Sequence, residues 1–91
     1  MKATKIKMKY GCRNSNNLLE IDSIYISDSA ENGYHKKETI HDYVRNHPNS
    51  IQVNISPYPS LVPAISSKGE KYVKSARNNT TEDNLLRLPR E

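Results

Sequence analysis

The sequence predicts an α+β domain: a small, mostly antiparallel or mixed sheet of four to five strands, with one helix packed on one face. Three observations carry that prediction. Apolar and lysine residues alternate with period two over residues 4–12. Residues 36–46 place Ile40, Tyr43 and Val44 at the i, i+3, i+4 spacing of a helix stripe. The remaining apolar runs are short and bounded by Pro, Gly, Asn or Ser, as strands between turns are. The expected order is ββαβββ.

In the first strand, Thr4, Ile6, Met8, Tyr10 and Cys12 form the apolar phase, and Lys5, Lys7 and Lys9 the other. Residues 13–17 read as a polar turn. The second strand spans residues 18–27. Leu19 and Ile21 share one phase while Ile24 and Ile26 take the other, so a bulge near Asp22-Ser23 is required. Residues 28–33 read as a loop. The helix ends at His47-Pro48, because proline disfavours a helical residue before it. Ile51, Val53 and Ile55 mark a third strand. Residues 61–66 give a fourth, which Pro63 confines to a sheet edge or a bulge. Residues 70–75 give a fifth. The tail, residues 80–89, reads as a turn capped by Thr80 or Thr81, with Leu85 and Leu88 lying back on the core.

Ninety-one residues make a single domain, 1–91, with its core between about residues 3 and 76. Hydrophobic residues are 34% of the chain, so the core is thin. Six tyrosines stand without Phe or Trp. They are expected to supply much of the bulk from the rim, where each hydroxyl finds a partner or water. A stacking platform for bases would use the same residue. Cys12 is the only cysteine, which excludes an intrachain disulfide and reads as a small core hydrophobe. No apolar run follows the basic start of the chain, and none approaches a membrane span. A cytoplasmic location without membrane association is the expectation.

The segment Lys71-Tyr72-Val73-Lys74-Ser75, followed by Asp83-Asn84-Leu85-Leu86-Arg87-Leu88-Pro89-Arg90, resembles the ending of a bacterial and phage family, domain of unknown function number 3892. The alternating opening and the pair Tyr43-Val44 fit that resemblance. It implies one whole domain and transfers no site. Physically, Asn84 can bond backbone around the closing turn, and Pro89 stops it.

Lys5, Lys7 and Lys9 project from one side of the first strand, with Arg13 just beyond and no acid before residue 20. With Lys71 and Lys74, and Lys68 and Arg77 beside them, they form a candidate surface for tracking phosphates. Lysines on an outward strand face also keep sheets soluble and unpaired. His35, His41 and His47 are six apart, about 240° on a helix, so they do not converge on one metal. Glu38 and Asp42 read as a solvated helix face balanced by Lys37 and Arg45. No phosphate loop or nucleophile motif is present.

A non-catalytic interaction module follows, without cofactor or metal. Its leading partner is another protein or a second copy of itself, met through a sheet face or the edge at 61–66. The alternative is nucleic acid, bound by Lys5, Lys7, Lys9, Arg13, Lys71 and Lys74.

Overall fold

Residues 1–76 and 83–91 are described by a computed structural model. In chain order they form β1 (Lys2–Met8), a 3-10 turn (Leu18–Glu20), β2 (Ile21–Ser27), β3 (Gly33–Lys36), α1 (Lys37–Asn46), β4 (Gln52–Val53), β5 (Leu61–Ile65), β6 (Lys71–Ser75) and a second 3-10 turn (Asn84–Arg87). The class is α+β, with a four-stranded mixed sheet ordered β3-β2-β1-β4 and a β5-β6 hairpin. Helix α1 packs against both.

The central antiparallel pair, β1 with β2, carries two bulges. Asp22 is skipped between the pairs Lys7–Ser23 and Met8–Ile21, where the phase change in the sequence demands it. Thr4 is skipped between Ala3–Ile26 and Lys5–Tyr25. This second bulge turns Ala3 inward with Ile6 and Met8 and leaves Thr4 only half-buried. β1 also stops at Met8, short of the expected Cys12. Cys12 N–H donates to Lys9 O at 2.9 Å, and Gly11 takes φ +78°, a left-handed turn that glycine adopts without strain. Tyr10 is consequently fully exposed, at 105%. Residues 18–20, expected to open the second strand, instead form a 3-10 turn capped by the Asn17 side chain, which accepts from Leu19 N–H at 2.9 Å.

The expected loop 28–33 yields a strand at its end, so the order is βββαβββ. Four residues are too few to show a period, and β3 is held by pairing to β2, with Tyr34 opposite Tyr25. Asn32 shapes the intervening turn by accepting from Ser29 N–H at 2.9 Å. From β3 the chain crosses through α1 to β4, which lies parallel to β1 at Lys2 and Ala3. The same edge of β1 continues with the tail: Ile6 N–H donates to Pro89 O at 2.9 Å, and Glu91 N–H to Ile6 O at 3.1 Å. β1 thus has neighbours on both edges. The β5-β6 hairpin joins β4 through the Gln52–Ser60 bridge.

The core is Ala3, Ile6, Met8, Ile21, Ile24, Ile26, Ile40, Val44, Ile51, Val53, Leu61 and Val73, closed by Leu85, Leu86 and Leu88. No tyrosine belongs to it, so isoleucine rather than tyrosine supplies the bulk. The helix stripe is also rotated from its expected position. Lys37, Ile40, His41 and Val44 are buried, whereas Tyr43 is exposed and rests on His47 at 4.6 Å between ring centroids. His41 turns inward, and its Nδ1–H donates to Tyr72 O at 2.9 Å. Leu85 and Leu88 pack back as expected. Thr80, Thr81 and Arg77 lie outside the described residues. The second 3-10 turn is capped by Asp83, whose carboxylate accepts from Leu85 N–H at 2.9 Å and from Ser75 N–H at 3.0 Å. Asn84 is buried instead, and its amide finds no hydrogen-bond partner among the described residues.

Candidate nucleic-acid interface

Period two along β1 and β2 puts Ile6, Met8, Ile24 and Ile26 inside and the alternate residues on the outer face. Strand register then lines those residues up in rows. One row runs Lys5, Tyr25, Tyr34 across three strands, and the next runs Lys7, Ser23, Lys36. The Tyr25 and Tyr34 rings meet edge-to-face, with centroids 5.2 Å apart and planes at 86°. Each outward lysine of β1 stands over an aromatic ring. Lys5 Nζ is 4.9 Å from the Tyr25 centroid, Lys7 Nζ 6.0 Å from that of Tyr34, and Lys2 Nζ 6.0 Å from that of Tyr58. Such contacts hold an ammonium over a ring without neutralising it.

Two carboxylates border the face. Glu91 Oε1 lies 3.0 Å from Lys5 Nζ, and Asp22 Oδ1 3.6 Å from Lys36 Nζ. The hydrogen bond from Lys5, then the neighbouring Tyr34 hydroxyl, hold the Glu91 carboxyl below its usual range. The same pairing raises Lys5. The Ser23 hydroxyl, and secondarily Lys36, lower Asp22. Burial, and then the Glu91 carboxylate, push the Tyr34 phenol up. Its hydroxyl is buried and lies against the Glu91 carboxylate, which acts on it first as a hydrogen-bonding neighbour and then by charge, but the contact lacks the geometry of a full hydrogen bond.

The six basic residues expected at the site are distributed unevenly. Lys5 and Lys7 share the outer face. Lys9 lies past the end of β1, where its Nζ meets Glu70 Oε2 at 3.2 Å. Lys71 turns to Asp42 on α1 at 2.9 Å. Lys74 is exposed on β6, and Arg13 is exposed in the loop after β1. The Arg13 main chain serves as an anchor, its carbonyl accepting from Arg90 Nη1 at 2.8 Å. Lys36, Tyr25 and Tyr34 belong to the face and were not singled out in the sequence. Tyr25 was legible, since it alternates with Ile24 and Ile26. Tyr34 and Lys36 were hidden by the short strand that carries them.

Other candidate groups are committed to structure. The Cys12 thiol donates to Glu20 Oε2 at 3.1 Å, and that carboxylate, with burial, pushes the thiol up, away from a reactive thiolate. Ser15 bonds the other Glu20 oxygen. The described residues contain no group of three metal-ligating side chains, and none of their helices is long and apolar enough to cross a membrane. A cavity of about 480 Å³ lies between the β2–β3 turn and α1, with Ile26, Ile40 and Ile51 as its apolar wall and Glu31 and His35 among its polar residues. His35 there bonds Glu31 O at 2.8 Å.

A family model described as protein of unknown function (DUF3892) matches residues 2–89. No curated protein and no solved structure matches.

Proposed function

The chain belongs to the DUF3892 family, and for this member we propose a non-catalytic binding module that holds single-stranded nucleic acid on the outer face of its four-stranded sheet, in a cytoplasmic setting. The row Lys5–Tyr25–Tyr34 carries the reading. Single-strand binding combines cations that follow the backbone with rings on which bases stack, and this row supplies both within one strand spacing of each other. Lys7 and Lys36 extend the charge on the adjacent row. Of the two partners expected from sequence, nucleic acid fits this face better than protein, because its outward positions are lysine and half-buried tyrosine rather than an apolar patch.

Fluorescence anisotropy with a labelled oligo-dT 12-mer tests the reading. Binding is expected at 50 mM salt, with log affinity falling against log salt at a slope of about −2, from about three phosphates at −0.7 each. Lys5→Glu with Lys7→Glu abolishes it while circular dichroism stays unchanged. Absence of binding at low salt, or binding indifferent to that double reversal, overturns the proposal.

A second reading, self-association, rests on Ile65, which is 61% exposed on β5 beside Pro63. From Val62 onward that strand has β6 as its only strand neighbour among the described residues. Sedimentation of Ile65→Glu against the parent chain decides it: a dimer lost on substitution supports it, and a monomeric parent ends it.

A further inference from the structure

We propose that the Glu91 carboxylate occupies a phosphate subsite on the outer face, and that a backbone phosphate of nucleic acid binds there by displacing it. This rests on the nucleic-acid reading above and names its central contact.

The subsite is built from two groups of unlike origin. Lys5 Nζ supplies the charge, 3.0 Å from Glu91 Oε1. The Tyr34 hydroxyl supplies a buried donor that no described residue satisfies. A buried hydroxyl without a partner is costly, so its presence beside an anion position points to an acceptor that completes the bond. The Glu91 carboxylate lies against the hydroxyl without the geometry of a full hydrogen bond. A phosphate group has more oxygens than a carboxylate and spreads them more widely, so it can accept from Lys5 and Tyr34 together, as charge-assisted bonds favour. Lys7 lies on the same side of β1, and its charge acts on Glu91 as well.

Glu91 is placed there by the backbone. Its N–H donates to Ile6 O, and Pro89 O accepts from Ile6 N–H, so the tail runs beside β1 and brings residue 91 to Lys5. The Arg90 guanidinium fixes this run by donating to Arg13 O, Ser15 O and Leu86 O at 2.8, 2.8 and 2.9 Å. The side-chain pair itself is weakly held. Lys5 and Glu91 are 42% and 51% exposed, and ion pairs of that exposure exchange readily with water and ions. The main chain therefore stays in place while the carboxylate yields.

The test measures oligo-dT 12-mer affinity at 50 mM salt for the full chain and for Glu91→Gln, Asp22→Asn, Tyr34→Phe and the double Glu91→Gln/Tyr34→Phe. Asp22→Asn removes a like charge from the border of the same face. Glu91→Gln is expected to bind about fivefold tighter than the parent, the scale of one exposed ion pair. Asp22→Asn should give a clearly smaller gain. Adding Tyr34→Phe to Glu91→Gln should lose most of the gain. Equal gains from Glu91→Gln and Asp22→Asn would show general charge rather than a subsite, and would overturn this inference while leaving the nucleic-acid reading standing. A parent that binds and a Glu91→Gln variant no tighter than it does the same. If no variant binds, both fail.

Discussion

Lys37 and Lys5 each hold a glutamate at 3.0 Å, yet they do different work. Lys37 begins α1 with its side chain only 2% exposed. Its Nζ donates to Glu38 Oε2 at 2.9 Å and to Glu70 Oε2 at 3.0 Å, and Glu70 also takes Lys9 at 3.2 Å. Burial works against the charge on Lys37, but hydrogen bonds to the two carboxylates more than offset it and raise its pKa. This node ties the β5–β6 turn to α1 and to the end of β1. Lys5 stands half-exposed on the open sheet face, over Tyr25, with Glu91 as its one carboxylate among the described residues. Equal distances therefore do not mean equal roles. A buried, multiply bonded ammonium costs too much to release, while an exposed one can trade its carboxylate for another anion.

The sharpest way to break this comparison is to truncate each lysine. Lys37→Ala is expected to lower stability by about 2–3 kcal/mol in urea denaturation. That is less than the cost of breaking a fully buried pair, because Glu38 and Glu70 keep access to water. Lys5→Ala should leave the unfolding midpoint unchanged and weaken oligonucleotide binding. Equal losses of stability would erase the distinction.

Tyr25→Ala sharpens the outer half. Removing one stacking ring should cost about 1–3 kcal/mol of oligonucleotide affinity. The unfolding transition should remain cooperative, since Ile24 and Ile26, on the opposite face, keep the core filled. Unchanged affinity by anisotropy would leave the lysines alone responsible.

Acid gives the smallest effect and isolates the inner half. Lys37 first, then Lys9, hold Glu70 below its ordinary range. Burial is the largest influence on Glu38 and opposes its charge, but the Lys37 hydrogen bond, a backbone N–H and the Lys37 charge together outweigh it and lower that carboxyl too. A depressed carboxylate stabilises the fold above its unfolded pKa of about 4.3 and loses that contribution as pH falls through its folded value. Lys37, raised, contributes below about 10.4 and loses it as pH climbs through its folded value. Cys12, raised, withdraws stability above its unfolded value of about 8.5, so the urea midpoint should hold between about pH 5 and 8 and fall between about pH 5 and 3. In Lys37→Met the acid fall should shrink, and an identical fall would show that the node is not its source.

Much of the fold was legible. The Asp22 bulge followed from the phase change between Ile21 and Ile24, the helix from Ile40 and Val44, and the packed ending from Leu85 and Leu88. The Thr4 bulge was not, because Thr4 continues an unbroken alternation and only pairing with β2 expels it. Of the candidate site, Lys5 and Lys7 were legible as one face. Their separation from Lys9 and Lys71 was not, because the acids that take those two, Glu70 and Asp42, lie far along the chain.

The chain by itself determined which residues alternate, where turns interrupt them, and that one side of β1 carries lysine. Those properties depend on neighbours two to four positions away, which a linear reading contains. Tertiary structure alone decided that Tyr34 stands beside Tyr25, that Lys37 and His41 turn inward, and that Glu91 reaches Lys5. Each of those depends on strand register or on a partner at long separation, and no local pattern encodes either.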